Sequence, residues 1–253
     1  MDSQPNYKLV VSRGTSPHLN YFHRTSDSST RAAAQYVWSP HVAKLELCFR
    51  LSKLSYESNS GGPLNVPRGK IPCVEISTPG SPSEWVADSL IAKDFIHRGL
   101  LQDMNARISG KETGQDLAIR ALLEYKLFFY NAHERWTNNY YTVLPQRYLF
   151  GYFQGTGRFM DGEIHTFREE IWAGVHVILE DSRRKATQGE CFWVSGGDEP
   201  CEADATVYGF AISALVSDSG PMGGDLVKSE CPAVLEYATK IHQRYFPDHE
   251  VWK

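Results

Sequence analysis

The chain is 253 residues long, 42% hydrophobic, with a formal net charge of -4. That is core enough for one large domain or two small ones, and the interspersed acids and bases exclude the basic surface that nucleic acid or an anionic membrane requires. No apolar run approaches the roughly 20 residues of a membrane span, and Met1–Pro5 lacks the basic and apolar regions of a secretory signal.

The cysteines (Cys48, Cys73, Cys191, Cys201, Cys231) are scattered and form no C-x-x-C pair. This argues against a zinc site or a disulfide framework and for a reducing, cytoplasmic setting. Tyr7 to Ser12 is a β-branched run that predicts a first strand. Residues 13–38 break the pattern over a length unusual for a strand-to-helix connection, a trait of functional loops. A helix then starts clearly. Ser39 stands at the N-cap, Pro40 at the first helical position, and Val42, Leu45, Cys48, Phe49 and Ser52 recur at helical spacing. Tyr56–Ser58 reads as a second strand, Gly61-Gly62-Pro63 as a loop and Cys73–Ile76 as a third strand. Glu84–Ala87 follows as a fourth across a Gly80-Ser81-Pro82 turn, and Asp88–Ile96 is helical. Together these make an α/β sandwich. Strand signals vanish from Gln115 onward. Helices are predicted over about Asp116–Tyr141, about Glu163–Lys185, from Asp204 through Leu215, and over about Pro232–Tyr245. The predicted organisation is an α/β domain over 1–98, a linker at 99–114 and an all-helical bundle over 115–253.

A binding site is legible at the mouth of the third strand. An X-Pro bond such as Ile71-Pro72 adopts cis at low cost and turns the preceding N–H and C=O outward, where they can pair with an extended peptide. About 16 residues on, Asp88 and Ser89 open a helix whose free N–H groups and partial positive charge suit a carboxylate. Asp88 matches a cationic amine and Ser89 a carboxylate on the same ligand head. Each feature also has a plain structural reading, as a strand-edge proline and a helix cap.

These motifs resemble the glutathione transferase superfamily, and more narrowly the branch of metaxins and failed-axon-connections proteins with fungal transferase-like relatives. Ser39-Pro40-His41-Val42-Ala43-Lys44-Leu45-Glu46 with Leu54-Ser55-Tyr56-Glu57 resembles that branch's first helix and second strand. Gly69-Lys70-Ile71-Pro72 with Ala87-Asp88-Ser89 resembles the glutathione site. The run Asp198 to Gly209 resembles the helix-capping signature of the C-terminal domain, with Asp204 as the structural cap, and Tyr245-Phe246-Pro247 the terminal helix. The resemblance spans nearly the whole chain after Val37. It implies a thioredoxin-like domain joined to a helical bundle, with glutathione as cofactor held by Lys70, Ile71, Pro72, Asp88 and Ser89. Dimers are common in the superfamily, so a homodimer is among the expected forms.

Three positions depart from the pattern. Cys201 stands where the cap has Ser or Thr, which predicts an incomplete capping box. Ser39 and Val42 fill the positions of a thiol-disulfide cysteine pair, which excludes that chemistry. Ser39 then either serves as the catalytic hydroxyl, donating to the glutathione sulfur, or simply caps the helix. Ser12, Ser16, Tyr21 and Tyr36 are rivals on the same edge; Lys53 and Lys70 are either counter-ions for the glycyl carboxylate or, the commoner case, solvated surface lysines. The aromatic stretch around Tyr125, Phe128, Phe129, His133, Trp136 and Tyr140 builds a core or lines an apolar cleft. Phe129, His133 and Trp136 are the second-substrate candidates. No histidine spacing fits a metal. The expected function is a glutathione-dependent, transferase-like enzyme acting on an apolar electrophile. Its outcome is conjugation, or reversible addition giving cis–trans isomerisation of an activated olefin, with secondary metabolism as the setting the resemblance implies. The rival reading is a non-catalytic metaxin-like scaffold or a glutathione-dependent ligand carrier.

Overall fold

Lys8–Ser12 forms β1 and Pro40–Leu51 forms α1, followed by the short β2 (Glu57–Asn59) and a tight 3-10 turn at Pro67–Gly69. Then come β3 (Cys73–Ser77), β4 (Glu84–Ala87) and α2 (Leu90–His97). The computed structural model describes residues 7–13, 35–59, 66–87, 90–134, 159–217 and 221–252. Each predicted strand is present, with ends shifted by at most one residue. Period-two alternation places Leu9 and Val11 opposite Ile76 and Val74, all buried. The sheet order is β2-β1-β3-β4, with β1 parallel to β2 and antiparallel to β3, and β3 antiparallel to β4. A parallel β1–β2 pair demands a crossover, and α1 supplies it. α1 and α2 cover the same face, where Phe49 stacks on Phe95 with ring centroids 5.5 Å apart. Cys73 and Ala87 point the other way, against Val66 and Ile71.

The rest is helical. α3 (Gly110–Ala121), a π-helical stretch at Leu122–Leu127 and α4 (Phe128–His133) form one continuous run. α5 (Asp161–Lys185), α6 (Glu202–Val216), α7 (Pro221–Glu230) and α8 (Pro232–Tyr245) follow. The bounds predicted for α8 are those observed. α3 starts earlier than expected, inside the stretch read as linker, because Ser109 opens it and the Glu112 carboxylate accepts the Ser109 N–H at 2.7 Å. α7 is not among the predicted helices, and its Gly223-Gly224 pair is unfavourable to a helix interior. Its glycines answer a packing need instead: a Cβ on Gly224 would sit 2.7 Å from the Ala214 carbonyl oxygen of α6. No helix among the described residues is long and apolar enough to cross a membrane.

One apolar core runs from Leu9 and Val11 through Leu47 and Phe49 to Trp172, Tyr208 and Phe246, so sheet and helices share it. α6 lies antiparallel to α1, Gly209 meeting Pro40 and Lys44 while Ser213 reaches Trp38. Polar ties reinforce the junction. Glu124 accepts Lys44 Nζ at 2.6 Å and the Thr206 hydroxyl at 3.3 Å. Arg13 and Glu46, with side chains 3% and 1% exposed, pair at 2.9 Å, and removing either would strand the other's buried charge. Arg50 clamps the segment after α8, donating to Asp248 at 2.5 and 2.8 Å and to the Tyr245 carbonyl at 2.7 Å.

Asp204, fully buried, closes the start of α6. It accepts the N–H of Cys201 and of Val194, each at 2.8 Å, the Tyr237 hydroxyl at 3.0 Å and the Cys201 thiol at 3.2 Å. Both arms of the capping box are present, so the box expected to be incomplete is closed with a thiol in the hydroxyl's place. Burial pushes the Asp204 carboxyl up to about 6, and its donors restrain the rise. Asp204→Ala leaves these donors stranded, and unfolding should show a loss of about 3–5 kcal/mol at neutral pH, roughly 10 °C in Tm. Because the folded-state pKa lies above the unfolded one, ionising Asp204 lowers stability progressively between about pH 4 and 6. Asp204→Asn should abolish that slope.

Candidate functional site

Strand register brings the predicted site residues to one end of the sheet. Ser12, the last residue of β1, pairs with Cys73, and Cys73 pairs with Ala87, the last residue of β4. α1 returns from that same end to start β2, so its first turn lies there as well. Lys70–Pro72 stand just outside the ladder. Lys70 is extended and exposed (φ -112°, ψ 139°), Ile71 is half-buried, Pro72 is buried, and the Ile71–Pro72 bond is cis. Asp88 and Ser89 lie outside the described residues.

Ser39 precedes α1 in an extended conformation (φ -77°, ψ 115°), is half-buried and makes no side-chain cap hydrogen bond. No acid stands in the first turn of α1. The starts of α3, α5, α6, α7 and α8 are treated differently. Glu112 and Glu163 accept the N-cap N–H groups of α3 and α5. Asp204, Asn105 and Asp116 accept Cys201, Glu202 and Ala203 at α6. Glu134 accepts the Met222 N–H in α7, and His176 that of Ala233 in α8. Acceptors of this kind satisfy the orphan donors and offset the partial positive charge of a helix start. Among the described residues no acid within the first turn of α1 offsets that charge, and a hydroxyl stands beside it, an environment of the kind that stabilises a thiolate.

The rivals to Ser39 fall elsewhere. Ser12 is buried in β1. The Tyr36 hydroxyl lies 2.8 Å from both Tyr208 Oη and His242 Nδ1, and burial raises its pKa well above the ordinary tyrosine value. Ser16 and Tyr21 lie outside the described residues. Lys53 follows the far end of α1, about 18 Å along the helix axis from Ser39.

On the opposite wall, α4 faces the start of α1. Phe128, 38% exposed, sits with its ring centroid 5.2 Å from that of His41, and Phe210 of α6 meets the same imidazole edge-on at 6.1 Å. Phe129, half-buried, turns instead toward Tyr130 and Phe159. His133 is buried, with Nδ1 3.9 Å from an Asp161 carboxylate oxygen, and burial lowers its pKa. Trp136 lies outside the described residues. Sequence reasoning passed over His41 and Phe210. The signal for His41 was its place two residues after Ser39 on the same helix start; Phe210 looked like any core residue of α6. A polar cleft of about 470 Å³ opens at the other end of α1, beside Leu51, Ser52, Lys185 and Arg244, and is separate from the Ser39 end.

A protein-family model described as "Glutathione S-transferase N-terminal domain" matches residues 40–143. Among solved structures, the chain is similar to a maleylacetoacetate isomerase from Anaeromyxobacter dehalogenans with bound GSH in the active site: 14% identity, TM-score 0.53, 97% of each chain covered. It is similar to rice GST1 in complex with glutathione at 11% identity and TM-score 0.55, covering 98% of this chain and 92% of that one. FzlA from C. crescentus aligns at 10% identity and TM-score 0.56, over 95% and 91%. The chain has the glutathione transferase fold.

Proposed function

We propose that this chain is a glutathione-dependent enzyme of transferase type that acts on an apolar electrophile. The observation carrying this reading is the start of α1: Ser39 offers a hydroxyl not used as a cap, beside a helix terminus with no acid in its first turn, at the sheet end where Lys70–Pro72 lead into β3. Glutathione, when bound, supplies a nucleophilic thiol. The chain's own residues then have distinct tasks. The backbone of Ile71 pairs with the extended peptide, Lys70 neutralises the glycyl carboxylate, and Asp88 and Ser89 take the amine and carboxylate of the γ-glutamyl head. Ser39 donates a hydrogen bond to the sulfur, and the positive end of α1 favours its charged form. Phe128, Phe210 and His41 line the apolar side, with Phe129 and His133 further along the same helical run; Trp136, outside the described residues, is assigned the same task.

Two outcomes fit these tasks: conjugation, or reversible addition to an activated olefin that leaves after bond rotation. The isomerase with bound GSH among the similar folds supports the second as much as the rice protein supports the first. Isothermal calorimetry with glutathione tests the reading. Binding at millimolar concentration or tighter is expected, weakened at least about tenfold in Asp88→Ala, as for the loss of a charged contact. No heat of binding to the unaltered chain would favour the scaffold reading instead.

A further inference from the structure

We infer that the helical region positions Ser39, with Ser213 of α6 as the positioning residue acting through the Trp38 carbonyl; this rests on the glutathione reading above. Ser39 follows Gln35–Trp38, the segment that brings the chain back from residue 34 to α1. That segment is fastened to helices far along the sequence. The Ser213 hydroxyl donates to the Trp38 carbonyl oxygen at 2.6 Å. The Tyr36 hydroxyl bridges Tyr208 Oη and His242 Nδ1 at 2.8 Å each, and its ring packs among Phe246, His249 and Trp252. One residue past Ser39, the Pro40 carbonyl lies so close to α6 that a Cβ on Gly209 would approach it to 2.3 Å.

The Ser213 contact governs Ser39 most directly. A peptide unit is planar, so the Trp38 carbonyl and the Ser39 N–H share one rigid plane. Holding the oxygen fixes the plane, and only φ of Ser39 then separates that plane from its Cα–Cβ bond. With φ at -77° and α1 anchored at Pro40, the direction of the Ser39 Cα–Cβ bond is set by a contact from α6, which leaves χ1 as the one torsion that places the hydroxyl oxygen. The strength of a hydrogen bond from Ser39 to sulfur depends on that direction, since such bonds weaken steeply when misaligned. Ser213 is 1% exposed and does not itself belong to the site.

The test uses the full chain carrying Ser213→Ala, with Ser182→Ala as control, a serine whose hydroxyl bonds Val194 O instead. Two quantities are read: the amide resonance of Ser39 in proton–nitrogen NMR spectra, and the pKa of the glutathione thiol when bound, followed by thiolate absorbance. Ser213→Ala should move the Ser39 resonance and raise the bound thiol's pKa by about one unit, tenfold less thiolate at a given pH, with calorimetric affinity for glutathione within about twofold. In a Ser39→Ala background the same substitution should change the thiol pKa no further, because Ser213 acts through Ser39. Tyr36→Phe keeps the ring packing and should give both shifts in smaller size, which serves if Ser213→Ala fails to fold. An unmoved Ser39 resonance, an unchanged thiol pKa with glutathione bound, or an equal shift in the Ser39→Ala background overturns the inference. A moved resonance in a chain that binds no glutathione supports the positioning and overturns the glutathione reading.

Discussion

Ser39→Ala should lower turnover with glutathione and chlorodinitrobenzene by at least about tenfold, and up to about a thousandfold if the hydroxyl is the main donor to the sulfur, as for the loss of one oxyanion-type donor. Glutathione affinity should stay within about twofold, since the proposed binding contacts are those of Ile71, Lys70 and Asp88 rather than of Ser39. The reason lies in what α1 leaves undone. The Ser39 hydroxyl does not cap its own helix, so removing it should cost less than the roughly 1 kcal/mol typical of a lost N-cap. Tm should therefore scarcely move while the bound thiol's pKa rises. A fall in Tm matching the fall in turnover would show that Ser39 is only a structural residue. Unchanged turnover would pass the role to a hydroxyl outside the described residues, such as Ser16 or Tyr21.

What the sequence disclosed about this site was local, and what it withheld was not. Alternation at Leu9–Val11 and Val74–Ile76 announces strands because period two is written in neighbouring residues. Ser39-Pro40 announces a helix start for the same reason. Register then followed, placing Pro72 and Ser39 at one end of the sheet. Whether Ser39 caps or acts was undecidable from sequence, because a serine before Pro40 satisfies both descriptions; the absence of a cap hydrogen bond needed coordinates. Equally invisible were the partners across the junction. Tyr36 with Tyr208 and His242, Arg13 with Glu46, and Ser213 with Trp38 are far apart in sequence or lack any periodic signature. α7 escaped because its paired glycines are unfavourable to a helix interior while serving a helix contact. The distinction between Phe129 and Phe128, one residue apart on a continuous helical run, depends on the rotation of that run against α1, to which the π-helical turn at Leu122–Leu127 contributes.

Gly209→Ala should be the most damaging glycine-to-alanine change among the described residues, because Gly209 sits where α6 packs on α1. Alanine is the better helix former by about 1 kcal/mol, so an exposed helical glycine such as Gly174, with nothing within 4 Å of its would-be Cβ, should gain stability when replaced. At Gly209 the same methyl meets Pro40 O at 2.3 Å, Lys44 N at 3.0 Å and Lys44 Cβ at 3.2 Å. Two of these are backbone atoms of α1, which cannot swing aside as a side-chain tip would. Relief requires α1 and α6 to part, and the overpacking should exceed the helical gain, leaving a net loss of about 2–4 kcal/mol in thermal or denaturant unfolding. Function should suffer more than stability. The displaced carbonyl belongs to the residue after Ser39, and a shift of about 1 Å at a reacting group can cost a hundredfold in rate. The expected pattern is a folded Gly209→Ala chain with Tm lowered by roughly 5–10 °C and turnover reduced about a hundredfold, against a Gly174→Ala control at or above the original in both. A Gly209→Ala chain as active as its parent would mean that α1 holds Ser39 in place without help from α6.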